Sequence, residues 1–112
     1  MLFRSNMIIS GGENVYPSEI ENLLGTFPGV KDVAVVGIPH EKWGEAVHAV
    51  IVLHEGVCAS EVEVLDWCRD KMASYKRPRS VSFAAEAEIP RTATGKILHR
   101  VLRDRLAAGG AR

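Results

Sequence analysis

No apolar run in this sequence approaches the roughly 18 to 20 residues needed to cross a bilayer. The longest, Ala46 to Leu53, carries His48 inside it, so no membrane span is expected. Net charge is missing too. Fourteen Lys and Arg balance fourteen Asp and Glu, which removes any general attraction to nucleic acid or anionic lipid and makes any anion site a local one. Aromatic residues are scarce at 6%. The basic stretch Lys76-Arg77-Pro78-Arg79 therefore has too few ring neighbours for a base-stacking platform, and it reads either as a solvated loop or as a phosphate contact. Cys58 and Cys68 form no CxxC pair, a usage that fits a reducing compartment better than a disulfide framework. His40, His48, His54 and His99 show no HExxH or mixed His/Cys spacing, so no metal site is expected. The first ten residues contain Arg4 but neither a long apolar centre nor a small-residue cleavage site; a cytoplasmic location is expected. A G-x-S-x-G elbow, a Cys/His dyad and an internal repeat are all absent.

What is present is ordinary globular material: 112 residues, 46% hydrophobic and 25% charged. That length allows one domain able to bury about two-thirds of its unfolded surface, but not a large substrate cleft together with a nucleotide site. Met7-Ile8-Ile9 and Asn14-Val15-Tyr16 flank Gly11-Gly12 as a small hairpin or a strand and loop. Pro17 opens a helix whose apolar positions Ile20, Leu23, Leu24 and Phe27 recur at helical spacing until Pro28-Gly29. Val30 to Ile38 and Ala46 to Leu53 read as strands that pair, the first buried on both sides and ended by Pro39. His48 and His54 would share a face of the second. Ser60 and Glu63 form a capping-box signature ahead of a helix with Val62, Leu65, Cys68 and Met72 in one stripe, ending near Ala73. Val81 to Phe83 is a short strand. A third helix follows Gly95-Lys96, with Ile97, Leu98, Val101, Leu102 and Leu106 on its dry side. The order β, α, β, β, α, β, α predicts an α+β fold, a small mixed sheet covered by about three helices in two or three layers.

Two segments exceed the needs of a plain scaffold. In Ser10-Gly11-Gly12-Glu13-Asn14-Val15-Tyr16, paired glycines permit positive φ and close approach of another molecule, while the simpler reading is a hairpin turn. In Pro90-Arg91-Thr92-Ala93-Thr94-Gly95-Lys96, the pattern predicts that Gly95-Lys96 opens a helix, where free N–H groups and an ammonium would favour an anion. The GxxxxGK[ST] spacing of a P-loop fails here. Without further context, Lys96 is equally a solvated surface lysine.

Taken in order, Met7-Ile-Ile-Ser-Gly-Gly-Glu-Asn-Val-Tyr-Pro-Ser-Glu-Ile-Glu21, Val33-Ala-Val-Val-Gly-Ile-Pro-His40 with Trp43-Gly44-Glu45, Tyr75-Lys-Arg-Pro78 and Pro90-Arg-Thr-Ala-Thr-Gly-Lys96 resemble the C-terminal domain of the adenylate-forming enzymes. That superfamily includes acyl-CoA synthetases, aryl-CoA ligases, luciferase and peptide-synthetase adenylation domains. The wording of the first motif is most similar to the acyl-CoA synthetases. The resemblance implies an AMP-forming acid-thiol ligase, which activates a carboxylate with ATP (as its Mg2+ complex) to an acyl-adenylate and then passes the acyl group to CoA. It implies that Lys96 is the catalytic cation of the first step, and that Ser10, Gly11, Gly12, Glu13, Asn14, Tyr16 and Gly95 face the cofactors. Residues 7–106 would be the mobile domain, residues 1–6, with Arg4, Ser5 and Asn6, the remnant of a hinge, and residues 107–112 a flexible tail.

The partner so implied is a large N-terminal adenylation domain, which would hold ATP and the carboxylic acid. Alone, the chain is expected to be inactive and to bind no cofactor stably. The competing expectation is a stand-alone module that binds CoA or an acyl carrier without chemistry. Fatty, aromatic and short-chain acids all remain open as substrates, because the acid pocket belongs to the absent domain.

Overall fold

Two long strands, β3 (Val30–His40) and β4 (Gly44–Leu53), pair antiparallel along their length and form the spine of the domain. The computed structural model describes residues 7–42, 44–73 and 76–108. The register sets Val33 opposite Ile51, Val35 opposite Ala49 and Val36 opposite His48, so odd-numbered residues of both strands share one face and even-numbered residues the other. Both faces are apolar because both are covered. On the odd face, Val35, Ala49 and Ile51 pack with Ile20 and Leu24 of α1 (Pro17–Leu24) and with Val64 and Cys68 of α2 (Glu61–Cys68). On the even face, Ala34, Val36 and Val50 pack with Ile89 and with Leu102 of α3 (His99–Ala108). The result is three layers, helices on either side of a sheet.

The remaining strands extend that spine. β5 (Ser80–Phe83) runs parallel to β4, while β1 (Ile8–Ser10) and β2 (Glu13–Val15) form a hairpin joined to β4 through the Ser10–Gly44 pair. The five-stranded sheet is thus mixed, and the α+β expectation holds. Carboxylates from the helices of the odd face cap donors on its β3 and β5 edges. Glu21 Oε2 accepts the Val35 N–H at 2.9 Å and Glu61 Oε2 accepts the Val81 N–H at 2.8 Å, so neither edge presents those donors to another strand.

Several element ends differ from the pattern. α1 stops at Leu24, because the chain turns there through Phe27 N–H to Leu24 O at 3.0 Å; Phe27 instead packs edge-on against Trp67, with ring centroids 5.3 Å apart. β3 continues through Pro39 to His40. It is an edge strand, where a missing donor is tolerated. α2 ends at Cys68 and its dry stripe is Val64 and Cys68, with Val62 66% exposed; Met72 reaches the core from the turn that follows. The capping box is formed on both sides, Glu63 N–H to Ser60 Oγ at 3.2 Å and Ser60 N–H to Glu63 Oε1 at 2.8 Å. His54 falls just past β4 and is exposed, so it shares no strand face with His48. Ala107 and Ala108 are taken into α3. The hinge residues Arg4, Ser5 and Asn6, together with Trp43, Tyr75 and residues 109–112, lie outside the described residues. Among the described residues no helix is long and apolar enough to cross a membrane.

Candidate functional site

Lys96 does not open a helix. The segment before α3 is a closed loop: Arg91 and Ile97 form an antiparallel bridge, and Thr92 N–H donates to Lys96 O at 2.8 Å. Inside it, Gly95 N–H reaches Thr92 O at 2.9 Å and Lys96 N–H reaches Thr92 Oγ1 at 3.1 Å. Gly95 takes φ +94°, which lets the chain reverse there without a side-chain clash. These bonds occupy the Thr92, Gly95 and Lys96 amides, and α3 starts only at His99. The charged group that the loop presents is the Lys96 ammonium. Residues 92–96 are exposed, and Lys96 has no ion pair among the described residues.

Arg91 ties this loop to the sheet. One guanidinium nitrogen pairs with Asp32 Oδ2 on β3, and another donates to Gly95 O at 3.2 Å. The other Asp32 oxygen accepts the Val33 N–H at 2.9 Å, fixing the carboxylate on the strand. No local sequence pattern points from Asp32 to this partner 59 residues away.

The second motif folds as a tight hairpin. Ser10 pairs with Glu13 across Gly11 and Gly12, whose φ angles are +60° and +85°; this is the two-residue turn that demands positive φ at both centres. Ser10 is buried, Val15 is fully buried, and Gly11, Gly12, Glu13 and Asn14 are exposed, with Tyr16 48% exposed. Glu45 anchors the hairpin by accepting the Ile9 N–H at 2.9 Å. Gly37 makes room for it: a Cβ there would fall 2.9 Å from Ile8 Cγ2 and 3.0 Å from Glu45 Oε2.

The two motifs occupy opposite ends of the β3–β4 ribbon. Arg91 grips β3 at Asp32, while Ser10 meets β4 at Gly44, itself opposite His40. The stretch from Asp32 to His40 measures about 26 Å at roughly 3.3 Å per residue. β1 runs antiparallel to β4, so the Gly11-Gly12 turn projects further beyond that end. The anchors of the Lys96 loop and of the glycine turn therefore lie toward different ends of the ribbon. Gly95 lies with Lys96, apart from the other residues assigned to the cofactors.

Two histidine clusters were not foreseen. His99 Nε2 bonds Glu21 Oε2 at 2.6 Å, and that hydrogen bond raises the His99 pKa above its ordinary value. His48 lies between Ser80 Oγ at 2.6 Å and Ser82 Oγ at 2.9 Å, and burial lowers its pKa despite the charge of Glu61. Both ring nitrogens of His48 are thus taken up by hydroxyls of β5. The basic stretch is likewise built in, since Lys76 Nζ meets Glu19 Oε2 at 3.1 Å and Arg79 N–H donates to Val47 O at 2.7 Å. Among the described residues no three His, Cys, Asp or Glu side chains are grouped to hold a metal ion.

Comparison with known proteins bears on these two loops. Residues 19–96 match the family described as AMP-binding enzyme C-terminal domain, a match that ends on Lys96. The long-chain-fatty-acid–CoA ligase FadD13 of Mycobacterium tuberculosis (strain ATCC 25618 / H37Rv) is 52% identical over 103 residues, covering 92% of this chain and 20% of that protein. A feruloyl-CoA synthase of an Amycolatopsis species is 47% identical over 100 residues, covering 89% of this chain and 20% of that protein. Among solved structures, a Mycobacterium tuberculosis fatty acyl CoA synthetase superposes with a TM-score of 0.84 at 48% identity, over 94% of this chain and 20% of that one. The chain spans about a fifth of the length of these curated relatives.

Proposed function

The chain belongs to the AMP-binding enzyme C-terminal domain family of the adenylate-forming enzymes, and from that membership we propose that it is the catalytic lid of an ATP-dependent, AMP-forming acyl-CoA ligase. A large N-terminal domain supplies the pocket for the carboxylic acid and for ATP with its Mg2+. In the first half-reaction a carboxylate oxygen attacks the α-phosphorus of ATP, the bond to pyrophosphate breaks, and an acyl-adenylate forms. Lys96 stands where the carboxylate and α-phosphate charges meet and steadies the charge that builds between them. In the second half-reaction the CoA sulfur, having given up its proton, attacks the acyl carbon and AMP leaves. The Gly11-Gly12 turn then lies beside the pantetheine arm, where a side chain would obstruct the thiol.

The observation that carries this reading is the separation of the two motifs to opposite ends of one ribbon. In this reading the domain turns between the half-reactions and each motif serves one step, which the placement of their anchors toward different ends supports. The acid is chosen elsewhere. FadD13 and the feruloyl-CoA synthase are named for a long-chain fatty acid and an aromatic acid, yet each resembles this chain to a similar degree.

The test uses the whole ligase carrying this domain. Acyl-adenylate formation is followed by pyrophosphate release, and thioester formation is followed separately from supplied acyl-adenylate. A charge pair near 4 Å is worth about 4 kcal/mol at an effective dielectric of 20, which corresponds to roughly a thousandfold in rate. Lys96→Ala is expected to lose about that much in the first step and little in the second. Retention of the first step would make Lys96 ordinary surface and leave a CoA- or acyl-carrier-binding module as the better description.

A further inference from the structure

We propose that Asp32 and Arg91 form a positioning strut for Lys96, an ion pair that sets the direction in which the catalytic ammonium leaves the domain. The proposal rests on the adenylation role of Lys96 given above. The loop bonds among Thr92, Gly95 and Lys96 fix the shape of the turn but are all internal to it, so they say nothing about its angle to the sheet. Residues 92–96 are exposed, so no apolar burial within the turn holds that angle. Ile97, half-buried against the even-face core, and the Leu98 N–H bond to Pro90 O at 2.8 Å hold only the base of the loop.

Arg91 supplies the connection that is otherwise missing. Its planar fork reaches in two directions at once, to Asp32 on β3 and to Gly95 O, the carbonyl of the residue preceding Lys96. A lysine at position 91 would carry the charge without the fork. The pair is shielded on both sides, at 26% and 33% side-chain exposure, which separates it from the freely solvated pairs that hold little geometry. Asp32 has a second effect. By neutralising Arg91 it keeps that guanidinium from competing with Lys96 for the phosphate, so one oriented cation leads the loop.

The experiment again uses the whole ligase, with the two half-reactions measured apart. Displacing a reacting group by about 1 Å can cost on the order of a hundredfold, and Arg91→Ala is expected to slow adenylate formation by that order while thioester formation from supplied acyl-adenylate stays within about twofold. Asp32→Asn acts in the same direction, and Arg91→Lys retains part of the rate. Added to Lys96→Ala, Arg91→Ala should cost nothing more, because the group it orients has gone; a merely structural pair would continue to subtract. Equal slowing of both half-reactions by Arg91→Ala, or a further loss on the Lys96→Ala background, would overturn the strut. Full adenylation by Arg91→Ala with Lys96→Ala inactive would overturn it too, leaving the lid reading intact. If Lys96→Ala itself adenylates normally, the lid reading and the strut fall together.

Discussion

A substitution at Gly12 separates what the hairpin needs from what the proposed CoA contact would need. The Gly12 φ of +85° is costly for any residue with a Cβ, about 1 to 2 kcal/mol for a left-handed alanine. Yet a Cβ at Gly12 would meet no protein atom within 4 Å, so the penalty of Gly12→Ala is backbone strain with no steric part. In urea unfolding of the 112-residue chain, that strain lowers the midpoint by roughly 0.3 to 2 M for a slope of about 1 to 3 kcal/mol per M. Against a typical total of about 5 to 15 kcal/mol the domain stays folded. Any large loss of rate must then come from a ligand. If pantetheine passes over the turn, the new methyl crowds it, and overpacking of about 1 to 3 kcal/mol slows thioester formation roughly 5- to 150-fold. Adenylate formation holds within about twofold. Gly12→Asn is the control, because asparagine tolerates positive φ: it returns most of the stability but not the thioester rate. Should asparagine restore both, the glycines are there for the turn alone and the reasoning about CoA fails.

The two histidine clusters predict a stability optimum near neutral pH. His99, raised by its bond to Glu21, keeps its proton in the fold after the unfolded chain has lost one, so stability falls as pH rises above about 6.5. His48, lowered by burial, stays neutral in the fold while the unfolded chain takes a proton, so stability also falls as pH drops below about 6.5. Thermal unfolding between about pH 5 and 8 should show His99→Gln flattening the alkaline limb and His48→Asn the acid limb; unchanged limbs would refute the assignment. Gly37→Ala drives a methyl to 2.9 Å from Ile8 Cγ2 and is expected to destabilise by about 1 to 3 kcal/mol, read as a lower urea midpoint with weakened protection of the β1 amides from exchange. Ser60→Ala removes one half of the α2 capping box and should cost about 1 kcal/mol, measured the same way.

The layers were legible because the patterns behind them are short-range. Val33 to Val36 and Val47 to Val52 carry β-branched residues on successive positions, which only a sheet covered on both faces can use. Ser60 and Glu63 named the start of α2, and the Gly-Gly turn between Ser10 and Glu13 was readable because few conformations reverse a chain in two residues. The errors lie where tertiary contacts decide. Lys96 was read into a helix because Ile97, Leu98, Val101 and Leu102 continue the helical spacing backwards, but the Arg91–Ile97 bridge holds Ile97 in an extended pairing before α3 begins. Asp32 and Arg91, or Glu21 and His99, are joined across the fold, and no local pattern in one sequence carries such a pair.

That misreading of the Lys96 loop matters for the chemistry. At a helix mouth, several free N–H groups would share the work of holding a phosphate, and deleting one lysine would leave much of the site standing. In this loop the amides of Thr92, Gly95 and Lys96 are already bonded to Lys96 O, Thr92 O and Thr92 Oγ1. Those three amides are not free to hold a phosphate beside the ammonium. If the domain serves as the proposed lid, the charge that this loop carries is delivered mainly by Lys96. That makes direction decisive, since a lone cation on an exposed turn acts only where the turn points, and the Asp32–Arg91 pair joins that turn to the rigid spine of the sheet.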